Sequence, residues 1–149
     1  MRVVVVGLLT GIFAQGIGEK PYNRGMERIF PANVKAIGPY SPAVRIGPWV
    51  FLSGQIALKS DGEIEKSSIE KEVEQVLYNI RMILESVGAK PENIVKVTIF
   101  LTDMAFFPQV NAVYEKFFQQ GKYPARETVA VAALPKGARI EISAIAYIE

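Results

Sequence analysis

The chain has 149 residues, 50 % of them apolar and 21 % charged, which fits one compact domain with a sizeable core and excludes a disordered chain. Arg2, Lys20 and Arg24 against Glu19 place the whole formal charge of +2 in residues 1–25; the other 14 basic and 14 acidic residues balance, so no nucleic acid partner is expected. With no cysteine and no histidine, thiol nucleophiles, disulfides, imidazole bases and Cys/His zinc sites are excluded together, and no D-x-D or EF-hand spacing offers a carboxylate metal site.

Arg2 and the apolar run 3–14 have the form of a charged n-region and a short h-region, too short to span a bilayer. Three readings are open for residues 1–25: a secretory signal, an upstream start with Met26 as the natural start, or an added β-strand. The β-branched valines favour the strand. Residues 16–33 are rich in Gly, Pro and Asn and read as linker, with a short strand possible around 26–30. The prolines of Gly38-Pro39-Tyr40-Ser41-Pro42 then impose extended or turn backbone.

Two strands follow, 43–46 and 49–57, joined at Gly47-Pro48. The second contains Ser53-Gly54-Gln55, and a glycine inside a strand signals a bulge, an oligomer contact or a close approach to the backbone. After the Asp61-Gly62 turn, Ser67 with Glu70 suggests a capping box, and an apolar stripe from Ile69 to Val87 predicts a helix that Gly88 ends. A strand over 94–102 places Val95, Val97, Ile99 and Leu101 on one face. A second helix, 103–120, carries Pro108 in its first turn and buries Phe107, Val110, Tyr114 and Phe117; Gly121 ends it.

The last two strands, 124–131 and 139–148, flank Leu134-Pro135-Lys136-Gly137, a turn fit for a hairpin. Paired that way, Arg126 and Glu141 share one side of the sheet, as either an ion pair or a reception site for an anionic ligand. The order β-β-α-β-α-β-β predicts an α+β fold: a mixed sheet with two helices on one face. The bare face is expected to carry Arg126, Thr128, Ala130, Glu141 and Ser143, and to meet solvent or another copy.

Five segments in register, Gly38-Pro39-Tyr40-Ser41-Pro42, Ser53-Gly54-Gln55, Asn111-x-x-Tyr114-x-x-Phe117-Phe118, Pro124-Ala125-Arg126 and Leu134-Pro135 with Ile140-Glu141-Ile142-x-Ala144-Ile145-Ala146, resemble the reactive-intermediate deaminases, the RidA or YjgF-like proteins. The resemblance covers residues 26–149 and sets 1–25 apart as an appendage. It implies a chorismate-mutase-like fold and a homotrimer with a central sheet-lined barrel and sites between subunits. It also implies hydrolysis of enamine and imine acids such as 2-aminoacrylate and 2-iminopropionate to 2-keto acids and ammonia, without cofactor or metal and mostly inside cells.

By position, the resemblance makes Arg126 the binder of the substrate carboxylate and Glu141 the residue that orders the attacking water. Tyr40 closes the pocket from a neighbouring subunit, the Gly54 N–H orients the ligand, and Ser53 and Asn111 support it. Thr128 stands where many members have cysteine, which puts pocket shape and substrate preference in question. Two other functions stay open: a 2-keto-acid-binding trimer without turnover, and the ribonuclease or translation-inhibitor role also linked to the family.

Overall fold

The computed structural model describes residues 25–149; apart from Gly25, the expected N-terminal appendage lies outside the described residues. Strands β1 (Met26–Ile29), β2 (Ala43–Ile46), β3 (Trp49–Gln55), β4 (Ile94–Leu101), β5 (Ala125–Ala130) and β6 (Ile140–Tyr147) form one sheet in the order β1-β2-β3-β6-β4-β5. Helices α1 (Ile69–Ser86) and α2 (Phe107–Phe117) pack together, and α1 also packs on β3 and β6. The expected α+β fold is present, with the optional strand near residue 26 as β1.

The closing hairpin is not. β6 lies between β3 and β4, antiparallel to both, and β5 pairs only with β4, in parallel. Leu134-Pro135-Lys136-Gly137 therefore spans from the sheet edge to its middle as a loop, with Lys136 and Gly137 both at positive φ. Turn chemistry names a reversal but not which strand fills the space beside it.

The helices form where periodicity places them, with shifted ends. Helix α1 is capped by Ser68, whose side chain accepts from the Lys71 N–H at 3.1 Å; Ser67 instead bonds Glu65, so the expected Ser67–Glu70 capping box is absent. At the other end Gly88 takes φ +74, and the Gly88 and Ala89 N–H groups donate to the Glu85 and Leu84 carbonyls, a Schellman closure. Helix α2 is shorter than 103–120: Asp103 caps a 3₁₀ turn over Met104–Phe106 before it, and the chain leaves the helix after Phe117, ahead of Gly121.

The core lies between the helices and the inner face of the sheet. Ile80, Ile83 and Leu84 of α1 meet Val97, Ile99 and Leu101 of β4 and Ile140 and Ile142 of β6, all at most 2 % exposed. Each contributes about 1.5–3 kcal/mol by leaving water. Val95, expected on this inner face, is instead 41 % exposed, because a register irregularity between Ile94 and Lys96 turns it outward.

An ion pair between a buried glutamate and a part-buried arginine fixes the start of β6. Glu72 of α1 is fully buried; its two carboxylate oxygens accept from the Arg139 backbone N–H and from Arg139 Nε, each at 2.7 Å, while Arg139 Nη2 donates to the Lys66 carbonyl. Glu72→Ala leaves the part-buried Arg139 without its counter-charge and the Arg139 backbone N–H without its acceptor, and is expected to cost about 2–4 kcal/mol in denaturant unfolding. A loss under about 1 kcal/mol contradicts this account of the pair.

The outer face carries no helix. Register pairs Trp49 with Tyr147 and Phe51 with both Val44 and Ile145, and Trp49 and Phe51 are 42 % and 43 % exposed. Trp49 and Tyr147 meet edge to face at 5.0 Å. The helix-free face thus presents large apolar side chains outward.

Candidate active site

Arg126 and Glu141 sit on opposite faces of the sheet. Arg126 is in register with Val97, which is buried against the helices, so Arg126 stands on the helix side of the edge strand β5. Thr128 and Ala130 share that side, and Val129 faces outward at 41 % exposure. Glu141 is in register with Phe100 and alternates with the buried Ile140 and Ile142, which places it on the helix-free face. The expectation that Arg126, Thr128 and Ala130 share the bare face with Glu141 is thus corrected, and with it the Arg126–Glu141 ion pair.

Helix α2 builds the surroundings of Arg126. Asn111 Oδ1 accepts from Arg126 Nη1 at 2.7 Å, and the guanidinium carbon lies over the rings of Tyr114 and Phe107, 4.9 and 5.5 Å from their centres. A cleft of about 460 Å³ opens here, lined by Asn111, Tyr114, Glu115, Tyr123, Pro124 and Arg126. Arg126 itself is exposed and makes no ion pair among the described residues. Its charge is held in place without being neutralised. Glu127, next in sequence, points the other way, accepting from Thr98 and pairing with Lys96. Thr128 Oγ1 is buried with no hydrogen-bond partner.

Glu141 lies in a second cleft, of about 450 Å³, with Ile37, Gly38, Pro39, Tyr40, Ser53, Gly54, Ile56 and Pro135. Its carboxyl is half-buried, and that desolvation pushes its pKa above the usual glutamate range. The glycine at 54 has a local cause. Ser53 and Gly54 form a bulge against Ser143, and a Cβ at Gly54 would lie 2.7 Å from the Glu141 carboxyl carbon. Only a glycine leaves Glu141 room to lie across β3.

The loop before β2 is tied to the same place. Ser53 Oγ donates to the Ser41 carbonyl at 2.7 Å, the Ser53 N–H donates to Pro42, and the Ile37 N–H donates to the Tyr40 hydroxyl at 3.2 Å. These bonds hold Tyr40 at the mouth of the Glu141 cleft.

The expected site residues therefore fall into two groups. Tyr40, Ser53, Gly54 and Glu141 share one cleft; Asn111 and Arg126 line the other, with Thr128 on the same side of β5. Among the described residues no group of acidic side chains is arranged to hold a metal ion, and no helix is long and apolar enough to cross a membrane.

Residues 30–148 match the protein family described as endoribonuclease L-PSP. The 2-iminobutanoate/2-iminopropanoate deaminase of Dermatophagoides farinae is 44 % identical over 80 % of this chain and 93 % of its own length. The chain belongs to this family, the RidA/YjgF proteins. Solved RidA-family structures agree. The yeast protein YEO7_yeast superposes with a TM-score of 0.81 at 38 % identity, covering 84 % of this chain and all of that one. TdcF of E. coli, crystallised with bound serine, gives 0.76 at 38 %, over 82 % of this chain and 98 % of its own.

Within this RidA-family chain, sequence reasoning missed the aromatic half of the Arg126 site. Phe107 and Tyr114 read as core, and Tyr114 is buried at 4 % exposure. The signal was present in the spacing: 107, 111 and 114 lie on one face of a helix that also carries Asn111. Ile37, Ile56 and Pro135 were missed as well, since each is an ordinary apolar residue until the fold gathers them around Glu141.

Proposed function

We propose that this chain hydrolyses 2-imino acids to 2-keto acids and ammonia at a site completed by two copies. The observation that supports this reading is the separation of the two charged groups: an un-neutralised Arg126 in one cleft, and a half-buried Glu141 in another on the opposite face. In a homotrimer whose helix-free faces meet at the centre, the Glu141 cleft of one copy faces the Arg126 cleft of the next. The exposed apolar surface around Trp49 and Phe51 supplies the contact that such an assembly needs.

In this site the Arg126 fork receives the substrate carboxylate, bidentate and charge-assisted, and so fixes the neighbouring C=N carbon. Asn111 orients the guanidinium. Glu141 accepts a hydrogen bond from a water aimed at that carbon. As the water oxygen bonds to carbon, the π pair moves to nitrogen and Glu141 takes a water proton. The proton returns to nitrogen; the C–N bond of the carbinolamine then breaks and ammonia leaves with the bonding pair, while C=O forms and Glu141 takes the hydroxyl proton and passes it to solvent. Tyr40 closes the mouth, Ser53 anchors the loop that carries it, the Gly54 N–H orients the ligand, and Thr128 shapes the wall beside the arginine. The iminium carbon is already electrophilic, so placement and one water-ordering carboxylate suffice.

Two measurements check this reading. With 2-aminoacrylate generated in situ by a PLP-dependent dehydratase, the wild-type protein accelerates release of ammonia and pyruvate; a rate equal to the spontaneous one overturns it. Because burial raises the Glu141 pKa and the working form is the carboxylate, kcat/KM is expected to fall as pH drops through a midpoint above the ordinary glutamate value. An acid limb at or below that value contradicts Glu141 as the group reported. The family is described as endoribonuclease L-PSP, but residues 26–149 carry 14 basic and 14 acidic side chains and so no net positive charge to draw a phosphate backbone.

A further inference from the structure

Resting on the assignment of Arg126 to the substrate carboxylate, the geometry points to Phe107 and Tyr114 as positioning residues that hold its guanidinium by their ring faces. Two observations carry this. Phe107, Asn111 and Tyr114 follow one another at steps of four and three on α2, so they project from one side of it, and all three touch the same guanidinium. And Arg126 lies on an edge strand, with β4 alone beside it, so α2 supplies the support that a second neighbouring strand cannot.

The choice of aromatic rings has a chemical consequence. A carboxylate would fix an arginine as firmly, and this chain does so elsewhere: Arg139 is locked by both oxygens of Glu72. That arginine has spent its charge and part of its fork. Ring faces attract the cation through their quadrupole without neutralising it and without using its in-plane N–H donors. Arg126 gives up one N–H to Asn111 and keeps the rest. Glu115 lines the same cleft yet forms no ion pair with Arg126.

The Tyr114 hydroxyl is not what the position uses. It is buried with no hydrogen-bond partner, and desolvation pushes its pKa up to about 12, so it stays a neutral phenol and never competes with the substrate as an anion. The ring is the working part.

The test uses the full chain, with pyruvate as the binding probe in calorimetry and 2-iminopropanoate generated in situ for kinetics. Tyr114→Leu is expected to weaken pyruvate binding about tenfold and to raise KM by a similar factor, while kcat changes by about twofold or less. Tyr114→Phe, which keeps the ring and drops the unpaired hydroxyl, restores both values. A merely structural loss would not separate KM from kcat, and the phenylalanine rescue assigns the effect to the ring rather than to the hydroxyl. Where Tyr114→Leu does not fold, Phe107→Leu takes its place, with about a fivefold loss expected. Wild-type pyruvate affinity in the leucine variants, beside its loss in Arg126→Ala, overturns the positioning role alone. Wild-type affinity in Arg126→Ala overturns the carboxylate assignment and the positioning role together.

Discussion

Arg126→Ala is expected to reduce kcat/KM for 2-iminopropanoate by about a thousandfold and to abolish measurable pyruvate binding. Two charge-assisted hydrogen bonds of roughly 1.5–3 kcal/mol each leave with the fork, and nothing else near it is cationic enough to replace them. Lysine should recover little, since a point charge cannot engage both carboxylate oxygens in one plane or lie flat on the Phe107 and Tyr114 rings. The fold should be untouched, because Arg126 is exposed and makes no ion pair among the described residues. Pyruvate titration and a thermal melt on the same sample separate the two effects. Retained pyruvate binding at wild-type affinity would refute the clamp.

Glu141→Gln is expected to lower kcat by about 10²–10⁴-fold while pyruvate still binds, because the amide preserves shape but cannot take a proton from water. Its stability should move the other way. Burial raises the folded-state pKa of Glu141 above the unfolded value, so its contribution to stability is full below the unfolded pKa and is lost as pH rises through the folded one. At neutral pH the ionised carboxylate is a cost, and glutamine removes it. A variant that is inactive, binds pyruvate and melts at or above the wild-type temperature is the expected result; normal turnover would remove Glu141 from the chemistry.

The same site bears on Gly54. Gly54→Ala inserts a methyl group against the Glu141 carboxyl, so it should impair turnover through Glu141 rather than through backbone strain, since Gly54 is not at positive φ. Steady-state kinetics should show kcat falling with pyruvate affinity largely kept.

Much of this is legible in the sequence. Stepwise apolar spacing locates α1 and α2, and period-two alternation sets Val129 against Arg126, Thr128 and Ala130 in β5, and Glu141 and Ser143 against Ile140, Ile142, Ala144 and Ala146 in β6, as the fold does. What alternation cannot give is which side of a strand faces which side of its sheet. Val129 and Val131 alternate with Arg126 and Thr128, and by sequence the apolar side reads as the buried one. In the fold Val129 lies on the open face, which is itself apolar around Phe51, while Arg126 turns toward α2. The proline–glycine turn at 135–137 suggested a hairpin because turn chemistry is local, and the insertion of β6 between β3 and β4 is decided by distant packing. Glu72 was invisible for a similar reason: a glutamate on a helix reads as surface until Arg139 arrives from 67 residues away.

The central claim is that Arg126 and Glu141 act together although one chain holds them on opposite faces. Mixing decides it most directly. Arg126→Ala and Glu141→Gln proteins, each inactive alone, are unfolded together, refolded at equal amounts and assayed for ammonia release. Sites shared between copies predict that activity returns, to about a quarter of the wild-type value for random cyclic assembly. A mixture as inactive as its parts, with co-assembly verified by differently tagged chains, would contradict the shared site.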